Sequence, residues 1–151
     1  MCQLETISRI EAAAAQVMGC DVEDLKEERY DSYGLKVFSA YGLEYTVGTD
    51  EEADQAVKEN IKQSLWVFNA EFIIDHAKVG YSDAFVKQLK EMQAKLCEGC
   101  NDLVEALIED MDKFIDDAIG ADGRGHFLSS YSGDENEITI DGETFYAYRL
   151  N

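Results

Sequence analysis

Apolar residues recur at helical spacing over much of the chain and give way to strand-like runs at two places. Leu4, Ile7, Ile10, Ala14 and Val17 share one face, and Gly19 follows as a stop, so the spacing predicts a first helix over about residues 4–18. The acidic stretch 21–28 predicts a short helical turn under Val22 and Leu25. Residues 36–40 and 43–47 are then rich in aromatic and β-branched side chains and flank Tyr41-Gly42, which predicts a β-hairpin. Thr49-Asp50-Glu51-Glu52 forms a capping box ahead of Ala53, Val57, Ile61, Leu65 and Phe68 on one helical face. Asn69 caps a further short helix with Phe72, Ile73 and Ala77, ending near Gly80.

From Ser82 the apolar phase runs through Phe85, Leu89, Met92, Leu96, Cys100, Leu103, Leu107, Met111, Phe114 and Ala118 without a slip. One helix from Ser82 to Ile119 would be about 55 Å long, longer than a compact domain of this size. It therefore packs on a second chain or breaks at Gly99, and the unbroken phase favours one helix bent at that glycine. Beyond Gly120 a loop through Gly123, Arg124 and Gly125 leads to an expected strand over 127–131. Residues 137–140 and 144–148 flank Asp141-Gly142, a strong two-residue hairpin signal. The fold class is α+β: a single domain over 1–151, with a helical body, one long helix in the C-terminal half and a small antiparallel sheet that combines the hairpins.

Charge changes the picture most around that long helix. Asp102, Glu105, Glu109, Asp112 and Asp116 lie three and four residues apart, with Asp110 and Asp117 at the edges and Lys113 alone of opposite sign. On one helix, such a spacing makes a continuous negative stripe, at a cost in helix stability from like charges. The stripe is either a solvated face or a surface for a basic partner. The whole chain carries a formal net charge of -19 on 151 residues, a field that repels nucleic acids and anionic membranes and attracts basic proteins. The 46% hydrophobic fraction is too high for a disordered acidic tail.

No apolar run reaches the roughly 18 residues that a membrane span needs. The start, Met1-Cys2-Gln3-Leu4-Glu5, lacks the basic and apolar regions of a secretory signal, so a cytoplasmic setting is expected, with thiols reduced.

Candidate chemistry is sparse. Cys97-Glu98-Gly99-Cys100 is a C-x-x-C that can pair as a redox dithiol or contribute two ligands to zinc, but zinc needs two more. Cys100 also falls on the apolar face, where a thiol serves as a small hydrophobe. Asp122-Gly123-Arg124-Gly125-His126 offers an anion-binding arginine and a histidine base, and it offers equally a tight turn with Arg124 paired to nearby acids. His76 beside Asp75 has no assignable partner. No metal and no cofactor are expected.

Three segments carry a resemblance: 49–54 (TDEEAD), 64–69 (SLWVFN) and 122–131 (DGRGHFLSSY). They resemble stretches in small acidic proteins encoded by tailed bacteriophages and related mobile elements. The resemblance implies a setting, a bacterial host's cytoplasm, in which some small acidic proteins mimic DNA against restriction or CRISPR effectors; it implies no residue roles.

The resulting expectation is a non-enzymatic binding protein, an anti-CRISPR or anti-restriction inhibitor. Its carboxylate stripe occupies a basic surface of a protein or nucleoprotein complex that handles DNA or RNA. It has no direct contact with nucleic acid or membrane. The alternatives are a homodimeric structural or adaptor protein joined along the apolar seam from Phe85 to Ala118, and an enzyme or ligand-binding protein using the Arg124 and His126 loop.

Overall fold

A computed structural model describes residues 2–151, the side chains of residues 2–8, 27 and 28 lying outside the description. The expected helical contacts of Leu4 and Ile7 therefore fall outside the described residues. The chain forms an α+β structure with two compact units. One comprises Met1–Glu59 with Asp122–Asn151, and the other, Asn60–Ala121, is inserted between those two segments.

The first unit is a five-stranded antiparallel sheet with helices. Helix α1 (Cys2–Met18) ends at Gly19, whose φ of 68° is the left-handed stop that a glycine accepts without a steric penalty. A 3-10 turn at Val22–Asp24 leads into β1 (Lys26–Tyr30), then β2 (Lys36–Ala40) and β3 (Leu43–Thr49). Strands β4 (Asn136–Ile140) and β5 (Glu143–Arg149) complete the order β1-β2-β3-β5-β4. Both expected hairpins are present and share this one sheet. Each turns on two residues of positive φ, Tyr41 (52°) with Gly42 (81°) and Asp141 (51°) with Gly142 (83°), the mirror-image turn whose twist matches that of the flanking strands.

Strand β1 was not expected. Its Lys-Glu-Glu-Arg-Tyr carries no alternation of polar and apolar residues, and it forms by pairing along β2 at the sheet edge, where charged residues discourage further strand addition. Helix α1 covers one face of the sheet, packing Ile10, Ala13, Ala14 and Met18 against Phe38, Tyr45, Val47, Ile138, Phe145 and Ala147.

Helix α2 (Asp50–Gln63) starts at the expected capping box: the Thr49 amide donates to Glu52 Oε1 at 2.9 Å, and the Glu52 amide donates to Thr49 Oγ1 at 3.3 Å. It buries Ala53, Val57 and Ile61 as expected but stops at Gln63, so Leu65 belongs to a separate 3-10 turn at Leu65–Val67 and Phe68 follows in extended backbone.

In the inserted unit, α3 (Ala70–Asp75) is capped by Asn69, whose Oδ1 accepts from the Glu71 amide at 2.9 Å. Ala77 lies past its end, bridged to Ile108. Helix α4 (Asp83–Leu96) begins at the Ser82 cap. The helical path continues through a 3-10 turn at Cys97–Cys100 into α5 (Asn101–Leu107), 25 residues in all, and does not reach Ile119 as one helix. The kink falls at Cys97, with φ 48° and ψ −126°, and not at Gly99, which lies inside the 3-10 turn.

The path ends at Ile108, drawn into extended backbone by its bridge to Ala77 and by hydrogen bonds from Lys78 N–H to the Leu107 carbonyl (2.8 Å) and from Glu109 N–H to the His76 carbonyl (2.9 Å). Asp110 then caps α6 (Met111–Asp122), its Oδ1 accepting from the Lys113 amide at 3.1 Å. That cap is readable in the sequence; the apolar phase continues across it and hides it.

Back in the first unit, residues 127–131 are not a strand. Gly123, with φ 81°, resets the backbone and α7 (Arg124–Leu128) follows. A Cβ on Gly125 would stand 2.6 Å from the Gly133 carbonyl oxygen, so this turn of helix packs directly on the backbone leading to β4. Ser129 Oγ donates to the Arg149 carbonyl at 2.8 Å and holds the chain after the helix.

Candidate functional site

The break in the helical path redistributes the acidic residues. Asp102 and Glu105 stand on α5, Glu109 and Asp110 in the connection, and Asp112, Asp116 and Asp117 on α6. They form a bent series along the inserted unit, not one straight stripe. Asp102, Glu105, Glu109, Asp110, Asp112 and Asp116 all face solvent.

Asp117 is set apart, because its Oδ2 accepts from Lys113 Nζ at 2.8 Å and lies 2.7 Å from His76 Nε2. These two neighbours, Lys113 first, hold the Asp117 carboxyl below its ordinary range. The other ring nitrogen of His76, Nδ1, lies 2.9 Å from the Phe72 carbonyl, which can only accept. Phe72 and Phe114 flank the imidazole at 4.5 and 5.3 Å between centroids, and Phe68 closes the aromatic cluster on Phe114 at 5.1 Å.

Sequence reasoning missed this partnership, since His76 and Asp117 are 41 positions apart and the assumed long helix placed Asp117 on a solvated stripe. The arrangement is a structural tie, with the ring enclosed by aromatics and both nitrogens engaged.

The loop residues Arg124 and His126 part company on α7. Arg124 Nη1 donates to Asp50 Oδ1 at 2.9 Å and to Asp54 Oδ1 at 3.0 Å, its Nε donates to Glu135 Oε1 at 2.7 Å, and its guanidinium lies 4.6 Å from the Tyr146 ring centroid. Only 11% of its side chain is exposed. The carboxylates around it strengthen its hold on the proton, against the opposing effect of burial. Glu135 also accepts from the Tyr148 hydroxyl, and burial followed by that bond keeps the Tyr148 phenol protonated well past its ordinary range. Arg124 is thus engaged by three acids and an aromatic face, the internal pairing that the sequence offered as one of its two readings. His126 is exposed against the edge of Phe127, whereas the Arg124 side chain turns to Asp50, Asp54 and Glu135.

The two cysteines of the C-x-x-C face different surroundings. Cys97 is exposed at the kink, whereas Cys100 is 0% exposed, and burial pushes its thiol up. No group of three or more potential metal ligands occurs among the described residues.

Two concave surfaces mark the inserted unit. One groove of 650 Å³ is lined by Trp66, Phe68, Glu71, Lys90 and Gln93 among others, with Glu71 and Lys90 paired at 2.7 Å and Gln93 Nε2 donating to the carbonyls of Trp66 (3.0 Å) and Phe68 (2.7 Å). The other, of 180 Å³, is mostly apolar, with Phe85, Leu89, Met92, Leu103 and Leu107 among its lining residues and Gln88 as its polar member. Phe85, Met92 and Leu96 on α4 are exposed at 43%, 38% and 44%.

Among the described residues, no helix is long and apolar enough to cross a membrane. Comparison with protein-family models, curated proteins and solved structures finds no match to this chain.

Proposed function

We infer that the chain is a non-enzymatic binding protein that engages a basic surface of a protein or nucleoprotein complex handling DNA or RNA. The observation carrying this reading is the run of six solvent-facing carboxylates, Asp102, Glu105, Glu109, Asp110, Asp112 and Asp116, on α5, its connection and α6. The one base among them, Lys113, is occupied by Asp117, which itself stands at the edge of the surface. The run thus carries a local excess of negative charge, from which a basic partner gains.

The bend between α5 and α6 shifts the reading from a straight rod with phosphate-like spacing to an acidic patch. The patch competes by charge for a groove built for nucleic acid. The resemblance to acidic phage proteins supports a bacterial cytoplasm as the setting and a CRISPR or restriction complex as the target.

The test is recovery of partners from host lysate at low and moderate salt, beside a variant with lysine at 102, 105, 109, 112 and 116. Capture of a basic nucleic-acid-binding complex by the original chain alone, weakening steeply with salt, is the expected result. Equal capture by both chains would rule the patch out as the binding surface.

A second reading rests on a separate observation, the exposed Phe85, Met92 and Leu96 beside the apolar groove. Such a face suits a homodimer or adaptor. A monomeric mass by sedimentation would remove the homodimer.

A further inference from the structure

The C-x-x-C stands at the one place where the longest helical path of the chain is kinked. Cys97 leaves α4 with φ 48° and ψ −126°, backbone that a side chain with a Cβ rarely adopts, and it opens the 3-10 turn that feeds α5. Its thiol is exposed and makes one long contact, 3.8 Å to the Ala94 carbonyl. Three residues on, Cys100 is buried.

Cys97 and Cys100 bound the 3-10 turn, and a three-residue step through such a turn rises about 6 Å. That lies inside the roughly 4.4–6.8 Å between Cα atoms that a disulfide accepts. Because Cys97 has already left helical backbone, closing the gap requires movement at that residue and not in the packed turn beneath it.

We propose that Cys97 and Cys100 form a thiol–disulfide exchange site, with exposed Cys97 as the attacking sulfur, buried Cys100 as the resolving sulfur, and a low-molecular-weight disulfide of the glutathione class as oxidant. In the first step the Cys97 thiolate, its proton given to solvent, attacks one sulfur of the disulfide. The old sulfur–sulfur bond breaks, one small thiolate leaves and takes up a proton, and a mixed disulfide remains on Cys97.

In the second step the Cys100 thiolate attacks Cys97 Sγ. The Cys97–Cys100 bond forms and the second small thiolate leaves. Two protein thiols are oxidised and one small disulfide is reduced to two thiols. Burial raises the Cys100 thiol, so the second step quickens as pH rises. This activity is independent of the acidic patch and of the partner it binds.

The experiment exposes the reduced full chain to oxidised glutathione, quenches with acid at intervals, alkylates free thiols and locates each modification by peptide mass. The expected course is a transient glutathione adduct on Cys97, then loss of that adduct with closure of Cys97 to Cys100, while Cys20 reacts about tenfold more slowly or less. In Cys100→Ala the adduct on Cys97 persists, and in Cys97→Ser neither adduct nor bond appears at position 100.

The unsubstituted chain decides the matter even if a variant fails to fold. A stable adduct on Cys97 without closure would show that Cys100 cannot reach it and would overturn the proposal, as would modification of Cys20 and Cys97 at equal rates.

Discussion

Two glycines show how differently the same residue is used. Gly125 is fixed by space: a Cβ there would meet the backbone of Gly133, Asp134 and Glu135 at 2.6 to 2.7 Å, and none of those atoms can swing aside as a side-chain end can. Gly99 meets only Leu96 Cβ, at an ordinary 3.8 Å, and has no left-handed backbone to protect. Gly125→Ala is therefore expected to cost about 1–3 kcal/mol through overpacking. Gly99→Ala should leave stability unchanged or raise it by about 0.4–1 kcal/mol, by reducing the freedom of the unfolded chain. Urea midpoints of the two variants check the pair, and a loss at Gly99 comparable to that at Gly125 would refute the contrast. The immediate neighbours of the two glycines do not reveal this difference; what sets them apart is backbone eight to ten positions further along the chain for Gly125 and ordinary contact for Gly99.

Elements were legible where a local signal decides them. Tyr41-Gly42, Asp141-Gly142, the Thr49 box, the Asn69 cap and the Ser82 cap each satisfy backbone groups within a few residues, and each is found where expected. Elements made by what they pack or pair with, and not by their own pattern, were not legible: β1 exists by pairing with the next strand β2, the end of α5 through the Ala77 bridge, and α7 through its packing on the segment before β4. The Arg124 cluster belongs to this second kind, because it ties the start of α2 to α7 and to Glu135. Arg124→Ala should destabilise the fold by about 1–3 kcal/mol, less than a fully buried pair would, because Asp50 and Asp54 remain largely in water. Arg124→Lys should recover only part of this, since a point charge cannot bridge three carboxylates while lying flat on Tyr146. Thermal unfolding of the three proteins checks the order; full recovery by lysine would mean that charge alone matters there.

Across the whole molecule, charge governs. The formal net charge of -19 opposes compaction, and the larger part of the acidic excess belongs to residues of the first unit and not to the acidic patch. Monovalent salt is therefore expected to raise the unfolding midpoint between low ionic strength and about 0.15 M, where the screening length falls to about 8 Å. A falling midpoint would show that the Arg124 and Asp117 pairs outweigh the general repulsion.

The chain passes from the first unit into the second and back once each. Arg124, just beyond the return, is bonded to Asp50 and Asp54, just before the departure. The inserted unit thus has no free end. If it melts while the first unit holds, it melts as a loop anchored at both feet, with less disorder to gain than a dangling tail of equal length.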